Sequence, residues 1–419
     1  MSARTRYPAV ALVAALAAGC GGPPMSPHPI PHPAPYPVRK PLAKAQPRGP
    51  AGAGPAKDAR PFTLVASGDI IPSSPDVLRT ARRDAAGPGY DFRPMLSEVQ
   101  PIVSRADLAL CHLNAPLGPL SGPFTGYPVY QAPPQLATAL KATGYDSCST
   151  ASNHVLDQGV PGVSRTLEAM DTVGLRHVGS GRDAAEGMRP ALLRAEGGAK
   201  VAQLAYTYGT DQKRRPASAP WTVNLLNVQK IIADARAARR AGADVVVVSP
   251  HWGPEYRTAP TKEQLTLARA LTASQTNGRP DIDLILGTHA HTPQPYEKVN
   301  GTWVGRTRDG RRNEADMRGS GTWVAYGLGD LMGGGTRDER GKMSTTARFT
   351  FTPPTRPGGR WEITKAQFIP FWWDAQEHRV VNVTRAIKAG WSDFKPIRRR
   401  IRQMVLSRGA GEDGLTMGR

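Results

Sequence analysis

Residues 282–291 read Ile282-Asp283-Leu284-Ile285-Leu286-Gly287-Thr288-His289-Ala290-His291. An apolar run of strand length stops at a glycine and then delivers two histidines one residue apart. A second run, Ala243-Asp244-Val245-Val246-Val247-Val248-Ser249-Pro250, ends on His251-Trp252-Gly253. Four consecutive valines leave no polar face, which is the pattern of a strand buried on both sides in a parallel sheet. Ligands of such sheets gather just beyond the carboxyl ends of the strands. Three imidazoles brought there from two strands make a candidate metal site.

The chain around these runs alternates between two periodicities. Residues 62–69, 106–111, 145–150 and 201–206 read as strands. Residues 76–104, 135–143, 161–173, 228–241 and 262–273 read as helical segments. This alternation predicts an α/β fold in one domain, residues 61–350. From Arg348 the pattern turns to β alternation, at Phe349-Thr350-Phe351, 361–371 and 379–383. It closes on Arg398-Arg399-Arg400-Ile401-Arg402, a solvated helix with Ile397, Ile401 and Val405 as its apolar stripe. Residues 351–419 are therefore expected to form a C-terminal β extension and basic tail.

The N-terminus speaks to compartment. Arg4 and Arg6 precede a short apolar stretch, residues 9–18, and then Leu16-Ala17-Ala18-Gly19-Cys20. These are signal-peptide dimensions, too short for a spanning helix. Small residues before a cysteine resemble a bacterial lipobox, so residues 1–20 read as a signal segment in which Cys20 is lipidated and becomes the new N-terminus. Ala17 stands where the lipobox has a large aliphatic residue, so plain secretion is the alternative. Residues 21–60, rich in Pro, Gly and Ala, read as an extended tether, with His28 and His32 as solvated linker residues. Export would place Cys111 and Cys148 in oxidising surroundings, where a disulfide and two buried thiols both remain open. The 419 residues carry a net charge of +20, which suits a soluble basic surface or a polyanionic partner. With no zinc-finger, RRM-like or helix-turn-helix pattern, no nucleic acid partner is expected.

The chemistry-bearing residues follow the expected strands. Asp69 follows the first; His112 and Asn114 follow the second; Asn153 and His154 come soon after the third. His251, His289 and His291 complete the set. Of the nine histidines, His112, His154, His251, His289 and His291 concentrate at strand ends, which core packing does not require. Mixed imidazole and oxygen donors suit a divalent transition ion, one or two of Mn, Zn or Fe. Trp252 and Tyr256 flank the histidines as candidate substrate-binding aromatics, and Glu255 as a substrate-facing carboxylate. Asp157 is expected to cap the turn before Gly159.

Six ordered blocks carry a resemblance: Gly68-Asp69, Leu113-Asn114-Ala115-Pro116-Leu117, Ser152-Asn153-His154, His251-Trp252-Gly253-Pro254-Glu255-Tyr256, Gly287-Thr288-His289-Ala290-His291 and Tyr326-Gly327-Leu328-Gly329-Asp330. Together they resemble the CapA family of capsule-synthesis and poly-γ-glutamate biosynthesis proteins, itself similar to calcineurin-like metallophosphoesterases. The resemblance implies a four-layer α/β/β/α sandwich, metallophosphoesterase-like, with a metal centre at the strand ends. By the same resemblance Asp69 and His291 would bind a first metal, Asn153, His251 and His289 a second, and His154 would serve the leaving-group oxygen. The family pattern Asn-Leu-Glu-x-Pro-Leu is met here by His112-Leu113-Asn114-Ala115-Pro116-Leu117. An amide, Asn114, therefore stands where the metal-bridging carboxylate is expected, and His112, on the same side of an extended chain, is placed to compensate.

The implied role is synthesis, export or anchoring of an anionic surface polymer such as poly-γ-glutamate. The protein would sit on the extracytoplasmic face of the membrane, held by a lipid anchor. Its expected partners are that polymer or its precursor and capsule synthase subunits. Asn114 keeps open a non-catalytic polyanion-binding scaffold; a general secreted phosphodiesterase is the third reading.

Overall fold

The chain builds half of one sheet, then a second sheet, and then returns to finish the first. In the computed structural model, residues 59–72, 74–300, 321–333, 338–356 and 359–419 are described. The expected signal peptide with Cys20, and the tether with His28 and His32, lie outside the described residues, apart from the tether's last two positions. The first parallel strands are β1 (Phe62–Ile70), β2 (Leu108–Leu113), β3 (Ser147–Ser149) and β4 (Arg176–Val178). The second sheet follows with β5 (Ala191–Arg194), β6 (Lys200–Thr207) and β7 (Val245–His251). After a hairpin, β8 (Gln275–Thr276) and β9 (Arg279–Pro280), it continues with β10 (Leu284–Leu286), β11 (Tyr296–Val299) and β12 (Thr322–Ala325). The chain then rejoins the first sheet through β13 (Asp330–Met332), β14 (Met343–Thr352), β15 (Glu362–Asp374), β16 (Arg379–Asn382) and β17 (Leu415–Met417).

Strand order is β16-β15-β14-β1-β2-β3-β4 in the larger sheet, with β13 beside β1 and β17 beside β15, and β11-β12-β10-β7-β6-β5 in the smaller. The helices are α1 (Pro75–Asp84), α2 (Gln100–Val103), α3 (Gln135–Thr143), α4 (Gly159–Thr172), α5 (Ala184–Gly187), α6 (Val228–Arg240), α7 (Lys262–Ala273), α8 (Val383–Lys388) and α9 (Phe394–Leu406).

Side-chain alternation sorts these elements into layers. Val246 and Val248 of β7 pack with Ile231 and Ala235 of α6 and with Ala268 and Leu271 of α7. On the larger sheet, Val65, Ala109 and Leu113 pack with Leu136, Ala137 and Leu140 of α3. The inner faces meet each other: Trp323 lies 6.3 Å from Phe349, Tyr296 lies 6.4 Å from Phe368, and Ser147 donates to Gln203 at 2.7 Å. The result is the four-layer α/β/β/α sandwich. Asp283, just before β10, fastens the smaller sheet to its helices by accepting from Val246 N at 2.8 Å and pairing with Arg239 of α6.

Two expectations change and one open alternative closes. The helical segment 76–104 is broken into α1, a short 3-10 turn and α2, because Gly87-Pro88-Gly89 and Pro94 interrupt it. The boundary at 350/351 falls inside β14, and β15 to β17 extend the first sheet rather than forming a separate extension. Cys111 and Cys148, left open by sequence, face each other in register on β2 and β3 and form a disulfide. The basic tail is α9, whose Ile401 and Val405 are fully buried, as its stripe predicts.

Candidate metal centre

Asp69 and His112 lie opposite each other near the ends of the parallel strands β1 and β2. His251 closes β7, and Thr288, after β10, bridges to it. The carboxyl ends of both sheets therefore converge on one point, and the His112 and His251 rings stack across the gap at 4.5 Å. His289 N also crosses it, donating to Asp69 Oδ2 at 3.2 Å. Two glycines permit the approach. A Cβ on Gly68 would lie 1.9 Å from the Gly329 carbonyl oxygen, and one on Gly287 2.1 Å from that of Tyr326. Beyond Gly287 the chain turns sharply enough that His289 and His291 both take positive φ, 84° and 55°. For non-glycine residues this is a strained backbone of the kind found at functional sites.

Hydrogen bonds fix how each imidazole is presented. His289 Nδ1 donates to the Gly253 carbonyl, leaving Nε2 as a bare lone pair. His291 Nδ1 donates to Asp330, 2.8 Å from one oxygen and 3.0 Å from the other. His112 Nδ1 contacts Ser149 Oγ at 2.5 Å. Asn153 Nδ2 donates to Asp211 at 2.8 Å, which orients its Oδ1 toward His251 Nε2 at 2.9 Å. Gly253, Asp330 and Ser149 thus serve as outer partners that orient metal-binding imidazoles.

The inward atoms are left over. Asp69 Oδ1, His112 Nε2, His289 Nε2 and both amide atoms of Asn114 are buried and have no hydrogen-bond partner among the described residues. Asp69 Oδ1 and His112 Nε2 are 3.4 Å apart without hydrogen-bonding geometry. Buried polar atoms are nearly always satisfied, so a cluster of orphans with lone pairs directed inward marks a site built for a ligand. Asp69, His112 and His251 each offer a donor within one ion's reach of the others.

The electrostatics agree. Burial, then the nearby Asp330 carboxylate, pushes Asp69 up to about 8. Burial together with the neighbouring imidazoles His289 and His291 pushes His112 down to about 3, and burial with His291 pushes His289 down to about 4. His251 is held well below the usual imidazole range, mainly by burial. Burial opposes charge on His291 too, but Asp330, Glu255 and Asp69 outweigh it and hold that ring well above its ordinary value. A cation among these groups would favour ionised Asp69 and neutral imidazoles, the forms that ligate. The donor set fits a divalent transition ion.

The other candidates are distributed around this cluster. His154 is buried, and its Nδ1 donates to Asp157 Oδ2 at 2.9 Å. The same oxygen accepts from Tyr130 N at 2.8 Å. Asp157 thus orients an imidazole; it is not simply a turn cap. Tyr256 stacks on His291 at 5.4 Å, and Glu255 lies 3.6 Å from His291 Nε2 while remaining partly exposed. Trp252 is corrected: strand alternation turns its indole away from His251 into the helix-facing core, where Nε1 donates to Tyr326 O at 2.8 Å. It is wall packing, with no face left for a substrate. Sequence reasoning quoted Asp330 in a motif without giving it a site role, and missed Asp211 and Tyr208. Tyr208 lies 4.6 Å from His289 and donates to Asp211 at 2.9 Å. Gly329-Asp330 repeats the Gly68-Asp69 pattern, a signal that could have marked Asp330.

With the geometry in place, comparison with known proteins decides the family. Residues 63–334 match the profile described as bacterial capsule synthesis protein PGA_cap. The chain belongs to this family. Among its relatives, the capsule biosynthesis protein CapA of Bacillus anthracis is 29% identical over 164 residues, 38% of this chain and 38% of that protein. The PGA biosynthesis protein CapA of Bacillus subtilis is 29% identical over 170 residues, 39% and 42% respectively. The chain thus spans less than half the length of these two PGA_cap relatives. The solved calcineurin-like phosphoesterase YfkN from Bacillus subtilis is similar at 13% identity and a TM-score of 0.39, covering 74% of this chain and 90% of that one.

Proposed function

We propose that this PGA_cap protein acts outside the cytoplasm, anchored through lipidated Cys20, in making, exporting or anchoring an anionic surface polymer such as poly-γ-glutamate. We further propose that the buried centre is a metal-dependent phosphoester hydrolase site. The observation that carries this reading is the cluster of orphaned donors, Asp69 Oδ1, His112 Nε2 and His289 Nε2, at the joined ends of both sheets. The signal-like residues 1–20 support export, and the net charge of +20 suits a polyanionic partner.

A divalent ion bound here supplies Lewis-acid stabilisation of a phosphoryl oxygen. Asp69, His112, Asn153, His251, His289 and His291 would hold one such ion or share two. Asp330, the Gly253 carbonyl and Ser149 keep His291, His289 and His112 in their ligating orientation. Asp157 fixes His154 with its proton on Nδ1 facing the carboxylate. That leaves Nε2 to hold and deliver a proton to a leaving-group oxygen. Tyr256 and Glu255 border His291 where the substrate would enter.

Asn114 favours a second reading, a polymer-holding scaffold of a synthase complex, because a neutral amide is a weaker metal donor than a carboxylate. Hydrolysis of p-nitrophenyl phosphate, bis-p-nitrophenyl phosphate and nucleotides by the metal-loaded protein separates the two. Turnover that disappears in His154→Ala with the metal retained supports the hydrolase. Full metal occupancy without turnover supports the scaffold. Turnover confined to nucleotides favours a secreted phosphodiesterase. Cys20→Ser should release the protein from membranes, and continued retention would count against the anchor.

A further inference from the structure

The helical layer over the larger sheet has a gap between α2 and α8, far from the metal centre. β1 enters the sheet at this end, and Val65 lies four residues before Asp69, about 13 Å along the strand at strand rise. A cavity of about 680 Å³ fills the gap, within the size range of ligand sites. Its floor is set by register. Val65 pairs with Arg348 and Arg348 with Gln367; Thr63 pairs with Thr350 and Thr350 with Lys365. Alternation puts these side chains on one face, so the floor carries guanidinium, ammonium, amide and hydroxyl groups where a helix-covered sheet would carry aliphatic ones.

The rim adds charge of the same sign. Arg105, Arg385, Lys388 and Arg419 line the cavity, against one side-chain carboxylate, Glu98. Glu98 is already engaged with Arg385 at 3.1 Å. Arg105, Arg348, Lys365 and Lys388 have no carboxylate partner among the described residues. Arg348 is half-buried, and burial with the neighbouring Arg105 depresses its basicity. A second observation is independent of charge. Asn382, 1% exposed, lines the same cavity, and its Nδ2 has no hydrogen-bond partner among the described residues. A buried amide donor without a partner is destabilising, and a ligand carbonyl or carboxylate would relieve it.

We infer that this cavity is a second, non-catalytic site that binds a stretch of a polycarboxylate chain, carboxylates on the arginines and lysines and backbone amides on Gln367 and Asn382. Neutral hydrogen-bonding groups interleaved with cations suit a chain with amides between its charges better than a compact phosphate. The γ-linked form of that chain rests on the proposed polymer role; the site itself does not. Such a site would hold a growing or exported polymer away from the hydrolytic centre.

Calorimetric titration of the full-length chain with oligo-γ-glutamate, poly-α-glutamate and tripolyphosphate tests the inference. Expected is binding of the oligo-γ-glutamate that weakens with salt and falls about tenfold or more in the exposed pair Lys365→Glu/Lys388→Glu and in Arg348→Gln, each with wild-type metal content. His289→Ala should leave this affinity within about twofold. Binding of poly-α-glutamate alone, with the same loss in the variants, supports the cavity and contradicts the γ-linked polymer. Wild-type affinity in the lysine pair, or binding of tripolyphosphate alone, overturns the inference.

Discussion

Asp69 and His112 occupy paired positions on β1 and β2, with Oδ1 and Nε2 3.4 Å apart and neither atom hydrogen-bonded among the described residues. The pairing gives this chain an imidazole beside the position where an amide replaces the family carboxylate. His112→Ala should therefore lower metal affinity at least tenfold, the scale on which even indirect supports of a metal site act. Competition with a fluorescent chelator measures it. Unchanged affinity would remove His112 from the centre.

Restoring negative charge at Asn114 should have opposite effects with and without metal. Asn114→Asp keeps the size but places a carboxylate at a fully buried position whose backbone N bonds Ile70 O of β1 at 3.0 Å. In chelator the uncompensated buried charge should cost about 3–5 kcal/mol, while metal should bind more tightly than in wild type. Thermal unfolding with EDTA and with Mn reads both effects.

The pH dependence of the chelated protein follows from the site's shifted groups. His112 at about 3 and His289 at about 4 titrate below their unfolded value of 6.5. Between pH 6.5 and 4 the unfolded chain takes up protons that the fold refuses, so stability falls as pH falls through this window. His251 acts in the same direction. Asp69, raised from 3.8 to about 8, works oppositely, losing stability as pH rises from 4 to 8. His291, raised above 6.5, adds to that loss at the upper end. Three imidazoles outweigh one carboxyl below pH 6.5, and above it only the losses remain. Unfolding temperature in EDTA should peak near pH 6.5 and fall on both sides. Saturating metal should move the peak upward; a curve in EDTA still climbing at pH 8.5 would contradict these assignments.

His154 and Asp157 should separate chemistry from metal binding. His154→Ala should lower the hydrolytic rate about 100-fold or more, and Asp157→Ala less, with metal content unchanged in both. Loss of metal in either variant would place the pair in the metal site instead.

Much of this was legible in the chain. The valine run of β7 and the 282–286 run are buried strands, and the histidines after them meet where parallel strands end. Asn153, His251, His289 and His291 come together because each follows the end of a strand. Other parts depend on pairings that no local pattern encodes. Asp330 sits on a three-residue strand too short to show periodicity, and its role arises only because β13 aligns it with Asp69. Asp211 comes from a turn and reaches Asn153 by tertiary contact. Trp252 misleads because adjacency in sequence places it beside His251, whereas the pleat sends the two to opposite faces.

The most direct test of the metal centre is elemental analysis of the full-length protein purified without chelator, beside a His289→Ala/His291→Ala variant. The structure predicts about one to two divalent transition ions per chain, lost in the variant. A wild-type protein that holds no ion, even after reconstitution with Mn or Zn, would contradict it.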